Sequence, residues 1–276
     1  MAISGKTVLY GIIGNPVSHS LSPAMHNAAL AASGIDAVYL PFPALEIEAA
    51  VTGLRGLGIQ GVSVTIPHKE TVMDLLDSID PVAGKIGAVN TIINKNGILT
   101  GLNTDWLGAT RALEEAIDLN GAKAVILGAG GSARAIGFGL LEREANFVLC
   151  SRTESRGRAL ADELGCPWIS LDDTEQLSGD ILINATSVGM VPHIKNIPVP
   201  EGIVSHFQVV MDIVYAPMKT RLLQEAETKG CLVINGLEML LYQGVAQFEL
   251  WTGKTAPVSV MREALTGALA KIKKYK

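Results

Sequence analysis

The stretch Val-Ile-Leu-Gly-Ala-Gly-Gly-Ser-Ala-Arg-Ala, residues 125–135, sets Gly128, Gly130 and Ala133 at the spacing of a G-x-G-x-x-G/A turn. Gly128 allows a sharp turn from strand to helix, Gly130 lets a pyrophosphate approach the backbone, and Ala133 lets the helix pack closely on the strand. The remaining turn residues, Ala129, Gly131 and Ser132, belong to a helix start whose free N–H groups attract an anion. Glycines also end strands for purely structural reasons, so the flanks decide. An apolar run precedes the turn, a helical stretch follows, and Asn-Phe-Val-Leu-Cys-Ser-Arg supplies a second strand, which makes the segment a dinucleotide site. In the NAD version an acid ends that second strand and bonds the adenosine ribose. Here Ser151-Arg152-Thr153-Glu154-Ser155-Arg156-Gly157-Arg158 stands in its place. Ser151, Arg152, Thr153 and Arg156 lie where a 2′-phosphate would sit, and guanidinium groups bind phosphate through paired, charge-assisted bonds, so NADP is favoured over NAD. The plainer alternative is a solvated helix face formed by Arg152, Arg156 and Arg158, with Glu154 weakening the positive field.

A second feature is Gly-Val-Ser-Val-Thr-Ile-Pro-His-Lys, residues 61–69, a β-branched run that ends in Pro67 and delivers one lysine, Lys69, close to the interior. Alone, such a lysine is a solvated first-turn residue. Asp105 alone is a helix-start acid favoured by the helix dipole. Their separation along the chain does not by itself bring them together.

Two sets of elements must position these residues. Lys-Thr-Val-Leu-Tyr-Gly-Ile-Ile-Gly and Ala-Val-Tyr-Leu-Pro-Phe are strands. Between them Ser-Pro-Ala-Met-His-Asn-Ala-Ala-Leu-Ala-Ala-Ser-Gly is a helix that Ser22 caps, Pro23 starts and Gly34 ends. Residues 61–66 form a third strand and residues 68–79 a helix after Pro67. Residues 90–103 form a hairpin whose Asn96-Gly97 turn permits positive φ. A second organisation begins near Asp105 with a helix, continues through the β-turn-α-β unit, and adds apolar strands at 180–186, 209–215 and 231–236, the alternation a parallel sheet requires. The proline-rich stretch 191–202 is a surface loop. Leu237, Leu241, Val245 and Phe248, then Val258, Met261, Leu265, Leu269 and Ile272, recur at helical spacing and give two closing helices.

The chain has 276 residues, 48% of them hydrophobic and 18% charged, enough for two moderate cores. Twenty-nine glycines and 5% aromatics suit the tight strand-to-helix turns of an α/β protein. The net charge of −5 offers no broad cationic field for nucleic acid or an anionic membrane. No basic segment with an apolar core opens the chain, and no run of about 20 apolar residues could cross a bilayer, so a cytoplasmic protein is expected. Cys150, Cys166 and Cys231 are odd in number, scattered and without a C-x-x-C pair, which fits a reducing compartment and gives no zinc or other metal site.

Read together, the blocks GNPVSHSLSPAMHN, GVSVTIPHKE, GAVNTI, GLNTDWLG, GAGGSAR, SRTESR, NATSVGM, DIVYAP and NGLEMLLYQGVAQFELWTG, in this order across nearly the whole chain, resemble the shikimate dehydrogenases. The resemblance implies reversible NADPH-dependent reduction of 3-dehydroshikimate in aromatic amino-acid biosynthesis. It also implies two domains. Residues 1–103 plus 238–276 form a mixed α/β substrate domain, and residues 104–237 form a Rossmann-type, doubly wound NADP domain. Crossings near residues 103 and 237 would let the two hinge about a catalytic cleft.

Lys69 and Asp105 match the family's catalytic pair, with the formal proton donor left open between them. Ser20 and Ser22 match its carboxylate-binding S-x-S. Thr65 and Asn90 match contacts to ring hydroxyls, Gln243 a residue that bonds the substrate, and Tyr215 a position near it. Asn184, Thr186 and Ser187 match the cofactor-side turn. Ile213 and Gly236 match backbone positions at the nicotinamide, and Met239 a residue beside it. Two departures stand out. Trp106 occupies a place where glycine is common and would reshape the approach to the carbinol, and His68 stands where an aromatic carbocycle is frequent, as a neighbour and not a catalyst. Three alternatives remain: a relaxed relative that oxidises quinate or uses NAD, a non-catalytic dinucleotide sensor, and a one-carbon folate dehydrogenase. The last leaves the S-x-S pair unexplained. The expected partner is a small-molecule substrate, in a monomer or homodimer, with neither nucleic acid nor membrane.

Overall fold

The computed structural model describes residues 3–272. Short apolar, β-branched runs alternate with helices throughout, and the chain divides into two compact units. One comprises the residues to Thr104 together with those from Gln243 onward; the other is Asp105–Tyr242.

In the first unit the order is β1 (Val8–Gly14), α1 (Ser22–Ala32), β2 (Ala37–Pro43), α2 (Ile47–Gly56), β3 (Gly61–Val64), β4 (Ser78–Ile79), α3 (Pro81–Ile86), β5 (Thr91–Lys95) and β6 (Ile98–Leu102). The six strands form one mixed sheet in the order β2-β1-β3-β5-β6-β4. β1 is parallel to β2 and β3, whereas β5 runs antiparallel to β3 and β6. The hairpin between β5 and β6 turns at Asn96 and Gly97, with φ of +55° and +87°, the left-handed pair that matches the strand twist. Ile13, Val62, Val64, Val89, Ile92 and Leu99 build its core.

Two local expectations are corrected. Ser22 does not cap α1: the residue before the helix is Leu21, without a side-chain cap bond, and Ser22 is the first helical residue and buried. Residues 68–79 do not form an α-helix but a single 3₁₀ turn, Met73–Leu75, followed by β4. Asp77 explains the change. Its carboxylate accepts from Leu99 N–H at 2.6 Å and from Arg55 Nη1 at 2.5 Å, while its own N–H donates to Leu99 O. These bonds to distant residues draw the backbone to the sheet edge. Asp80 then caps α3, accepting from Val82 N–H at 2.9 Å.

The second unit contains α4 (Asp105–Glu114), β7 (Lys123–Leu127), α5 (Gly131–Leu141), β8 (Asn146–Ser151), α6 (Glu154–Leu164), β9 (Trp168–Ser170), β10 (Ile181–Asn184), β11 (Val209–Asp212), α7 (Arg221–Thr228) and β12 (Leu232–Ile234). All neighbours in its sheet, β12-β11-β10-β7-β8-β9, are parallel. The strand order reverses between β7 and β10, the switch point of a doubly wound Rossmann sheet, and ligands bind such sheets in the crevice outside the strands' carboxyl ends. Val125, Leu127, Leu182, Val210 and Leu222 fill one face. The Trp106 ring packs edge-on against Phe138 at 5.5 Å, so its bulk seats α4 on α5.

The last helices are α8 (Gly236–Thr252) and α9 (Val258–Ile272). From Gln243 onward α8 packs on the first sheet. Trp251 Nε1 donates to Ile92 O at 3.1 Å, and a side chain at Gly61 would collide with the Trp251 indole. Among the described residues no helix is long and apolar enough to cross a membrane.

Candidate active site

On the second sheet, β7 ends in a turn that only small residues can make. Gly128 has φ of +119°, and a Cβ there would press on Thr186 Cγ2 at 3.1 Å and Ala185 O at 3.2 Å. The expected turn at Gly128 and the expected Asn184–Ser187 turn are therefore adjacent. Gly130 precedes α5 without a side-chain cap, and a Cβ built on it meets nothing within 4 Å. Because N–H groups of a helix's first turn lack intrahelical partners, Gly131, Ser132 and buried Ala133 present unbonded donors beside open space. That geometry fits a dinucleotide pyrophosphate.

The neighbouring turn is held from within. Asn184 Oδ1 accepts from Thr186 N–H at 3.1 Å and Thr186 Oγ1 at 2.6 Å, and its Nδ2 donates to Asp212 Oδ1 at 2.9 Å. Asp212, which sequence reasoning missed, also accepts from Val214 N–H at 3.0 Å and Thr220 Oγ1 at 2.6 Å. It thereby ties the Asn184 turn, the Ile213–Tyr215 loop and the start of α7 together. Burial pushes the Asp212 carboxyl up to about 6, opposed by the bonds from Thr220, Val214 and Asn184. An acid ending an apolar strand was its signal in the sequence. A side chain at Gly236 would run into the Ile213 carbonyl, which places that glycine directly on the Ile213 backbone. Tyr215 is half-buried, and burial raises its phenol above the usual value. Met239 is buried in the first turns of α8.

At the end of β8, Ser151 is buried, accepting from Trp168 Nε1 at 3.0 Å and donating to Thr153 O at 3.3 Å. Its hydroxyl serves the fold. Thr153 precedes α6 and is exposed, as are Arg152 and Arg156, whose guanidinium groups make no ion pair or hydrogen bond among the described residues. Arg158 instead bonds Glu154 at 2.8 Å.

In the first unit the polar residues converge on the segment Ala88–Asn90. Lys69 O accepts from Val89 N–H at 2.7 Å. Asn103 Nδ2 donates to Ala88 O at 2.9 Å, and Asn90 Oδ1 accepts from Thr104 N–H at 2.8 Å. The loop carrying Lys69 and the chain leading into Asp105 are thus both anchored on three consecutive residues. Lys69 is half-buried, and Asp105, the first residue of α4, is 5% exposed. Asn90 Nδ2 reaches Gln243 Oε1 at 3.4 Å, which brings two of the expected substrate residues together. Behind them lies Gln247, one helical turn beyond Gln243. Its Nε2 donates to Thr91 Oγ1 at 2.9 Å and Asn90 O at 3.2 Å, and its Oε1 accepts from Ser63 Oγ at 2.8 Å. Ser63 meets Tyr39 Oη at 2.6 Å. Burial raises the Tyr39 phenol above its usual value, opposed by its bond with the Ser63 hydroxyl. Sequence reasoning missed Gln247, Ser63 and Tyr39; the Gln243-Gln247 spacing of four was the available signal.

Ser20 is half-buried, with Oγ accepting from Ser22 N–H at 3.3 Å, so the S-x-S pair is a local turn. Thr65 lies against Gly14, where any side chain would strike its methyl group. His68 is buried with Nε2 2.8 Å from Ala44 O, a structural role. Burial pushes the Cys150 and Cys166 thiols up to about 11, leaving no activated nucleophile there.

Known proteins are similar to this chain over nearly its full length. Residues 12–92 match the model of the shikimate dehydrogenase substrate binding domain, and residues 236–266 that of the shikimate 5'-dehydrogenase C-terminal domain. Shikimate dehydrogenase (NADP(+)) of Moorella thermoacetica is 47% identical, covering 97% of this chain and 95% of its own, and that of Thermococcus kodakarensis is 48% identical, covering 94% and 96%. Among solved structures, a shikimate dehydrogenase in complex with NADP+ superposes with a TM-score of 0.91 at 41% identity, covering 97% of this chain and 98% of its own. The Thermus thermophilus shikimate 5-dehydrogenase in complex with NADP(H) and shikimate superposes at 0.87 with 38% identity, covering 95% and 100%. With identities of this size over nearly the full chain, and the same fold, the chain belongs to the shikimate dehydrogenase family.

Proposed function

We propose that the protein is an NADP-dependent shikimate dehydrogenase that reversibly reduces 3-dehydroshikimate to shikimate, with the first unit binding substrate and the second binding NADP. The observation that supports this reading most is the shared anchorage of Lys69 and the chain into Asp105 on Ala88–Asn90, because a two-group acid-base device needs both groups fixed by one rigid element.

Each residue then has a chemical task. Ser20 and Ser22 donate hydroxyl bonds to the substrate carboxylate, while Thr65, Asn90, Gln243 and Tyr215 orient the ring. NADPH, when bound, supplies the hydride. Gly128–Ala133 hold its pyrophosphate, Arg152, Thr153 and Arg156 its 2′-phosphate, and the Asn184–Ser187 turn, Ile213, Gly236 and Met239 border the nicotinamide. Negative charge grows on the carbonyl oxygen as its carbon is reduced. Lys69 stabilises that charge, and the Lys69-Asp105 pair delivers the proton that completes the alcohol; oxidation runs the same path backwards. We place the enzyme in the cytoplasm, as a monomer or homodimer.

Steady-state rates with shikimate and with quinate, each against NADP+ and NAD+, test the proposal. Shikimate with NADP+ is expected to give the highest kcat/KM. A comparable rate with quinate or NAD+ would favour the relaxed relative, and cofactor binding without turnover would favour the sensor.

A further inference from the structure

Glu154 is the one acid in the stretch 151–158, and a carboxylate there opposes a 2′-phosphate. It is the first residue of α6, two positions from both Arg152 and Arg156. Its carboxylate is engaged by Arg158, one turn along the helix, with Nε 2.8 Å from Oε1. Arg158 is held on a second side, its Cζ 4.5 Å above the Trp168 ring. Trp168 is fixed in turn by its bond to Ser151 Oγ at 3.0 Å, and it approaches α6 so closely that a side chain at Gly157 would collide with both the indole and the Ser151 hydroxyl. Stability does not account for the pair: Glu154 and Arg158 side chains are 66% and 59% exposed, a setting in which ion pairs contribute little. Its effect is on the local field. Paired, the two charges cancel, and the free guanidinium groups of Arg152 and Arg156 set the sign met by an incoming anion.

We propose that Arg158 is a specificity-determining residue that acts through Glu154, masking its charge so that the neighbouring arginines discriminate for a 2′-phosphate. The proposal rests on the NADP reading above, and Trp168 is the anchor that keeps Arg158 in place.

Calorimetric titration of the full-length protein with 2′,5′-ADP and with 5′-AMP separates the possibilities. Wild type, Arg158→Ala, Glu154→Gln and the double variant form the set. Exposing one unit charge near a dianion under partial screening corresponds to roughly 3- to 10-fold in affinity. Arg158→Ala should weaken 2′,5′-ADP binding by about that factor, Glu154→Gln should bind no more weakly than wild type, and the double variant should return to within about twofold of it. Affinity for 5′-AMP should stay constant across the set. An unchanged Arg158→Ala variant overturns the proposal. So does a double variant as weak as Arg158→Ala, which would mean that Arg158 contacts the phosphate itself, and so does a parallel loss of 5′-AMP affinity, which would mean local disruption. Equal wild-type affinity for the two nucleotides would instead remove the NADP reading on which the proposal stands.

Discussion

Replacing Gln247 by leucine deletes a polar group that is 0% exposed and makes three hydrogen bonds, to Ser63 Oγ, Thr91 Oγ1 and Asn90 O. None of the three partners is left without another bond. Ser63 keeps Tyr39 Oη, Asn90 O keeps Val64 N–H at 2.7 Å, and Thr91 Oγ1 keeps Asn90 Oδ1 at 2.7 Å. The loss is therefore that of three ordinary bonds at about 1 kcal/mol each, about 3 kcal/mol, rather than the larger penalty of three orphaned groups. For a protein of this size that corresponds to a fall in Tm of about 6–12 °C. Leucine also removes one of the bonds that hold Asn90, which positions Thr104 and the chain into Asp105, so kcat should fall several-fold while KM for NADP+ stays within about twofold. Differential scanning calorimetry and initial rates on the same preparation give both numbers. A Tm within about 2 °C of wild type, with kcat unchanged, would refute the reasoning that this buried network holds the site together.

Three further outcomes are expected. Gly130→Val has an extended backbone, φ −105° and ψ −174°, and open space for its side chain, so Tm should hold while KM for NADP+ rises at least about tenfold; an unchanged KM would move the pyrophosphate elsewhere. Ser20→Ala removes a donor to a carboxylate, and KM for shikimate should rise about 10-fold or more with KM for NADP+ unaffected; the reverse pattern would disprove the assignment. Asp212 has a folded pKa near 6 against an ordinary 3.8, so the folded state binds the proton more tightly than the unfolded chain. Its contribution to stability is fully present below about pH 4 and lost as pH rises through about 6. Wild type should thus lose roughly 3 kcal/mol relative to Asp212→Asn across that window, and a difference in Tm that is independent of pH would contradict it.

What the sequence made legible follows from the range of the interactions involved. The Asn96-Gly97 hairpin, the Gly128 turn and the alternating strands of the second unit are set by local φ preferences and periodicity, and they appear where expected. The expected helix over 68–79 fails because Asp77 is claimed by Arg55 and Leu99, each more than twenty positions away. β9 is only three residues long and owes its existence to pairing with β8, which no short-range signal encodes. Ser22 has the residue type of a cap, yet its position inside the fold makes it the first buried helical residue instead. Of the candidate site, the small residues of the phosphate turn and the free arginines were readable from chemistry alone. The roles proposed for Lys69 and Asp105 rest on the resemblance alone, since each residue type also has an ordinary surface or helix-start explanation. Gln247 and Asp212 stayed hidden because their importance lies in bonds made across the fold.

The central claim is that Lys69 acts on the carbinol oxygen during hydride transfer. The measurement closest to it is the kcat and KM for shikimate of Lys69→Ala, taken with NADP+ on protein whose Tm matches wild type. The account predicts a kcat lower by about 10² to 10⁴ with KM for shikimate changed only a few-fold. Turnover at the wild-type rate in that variant would contradict it.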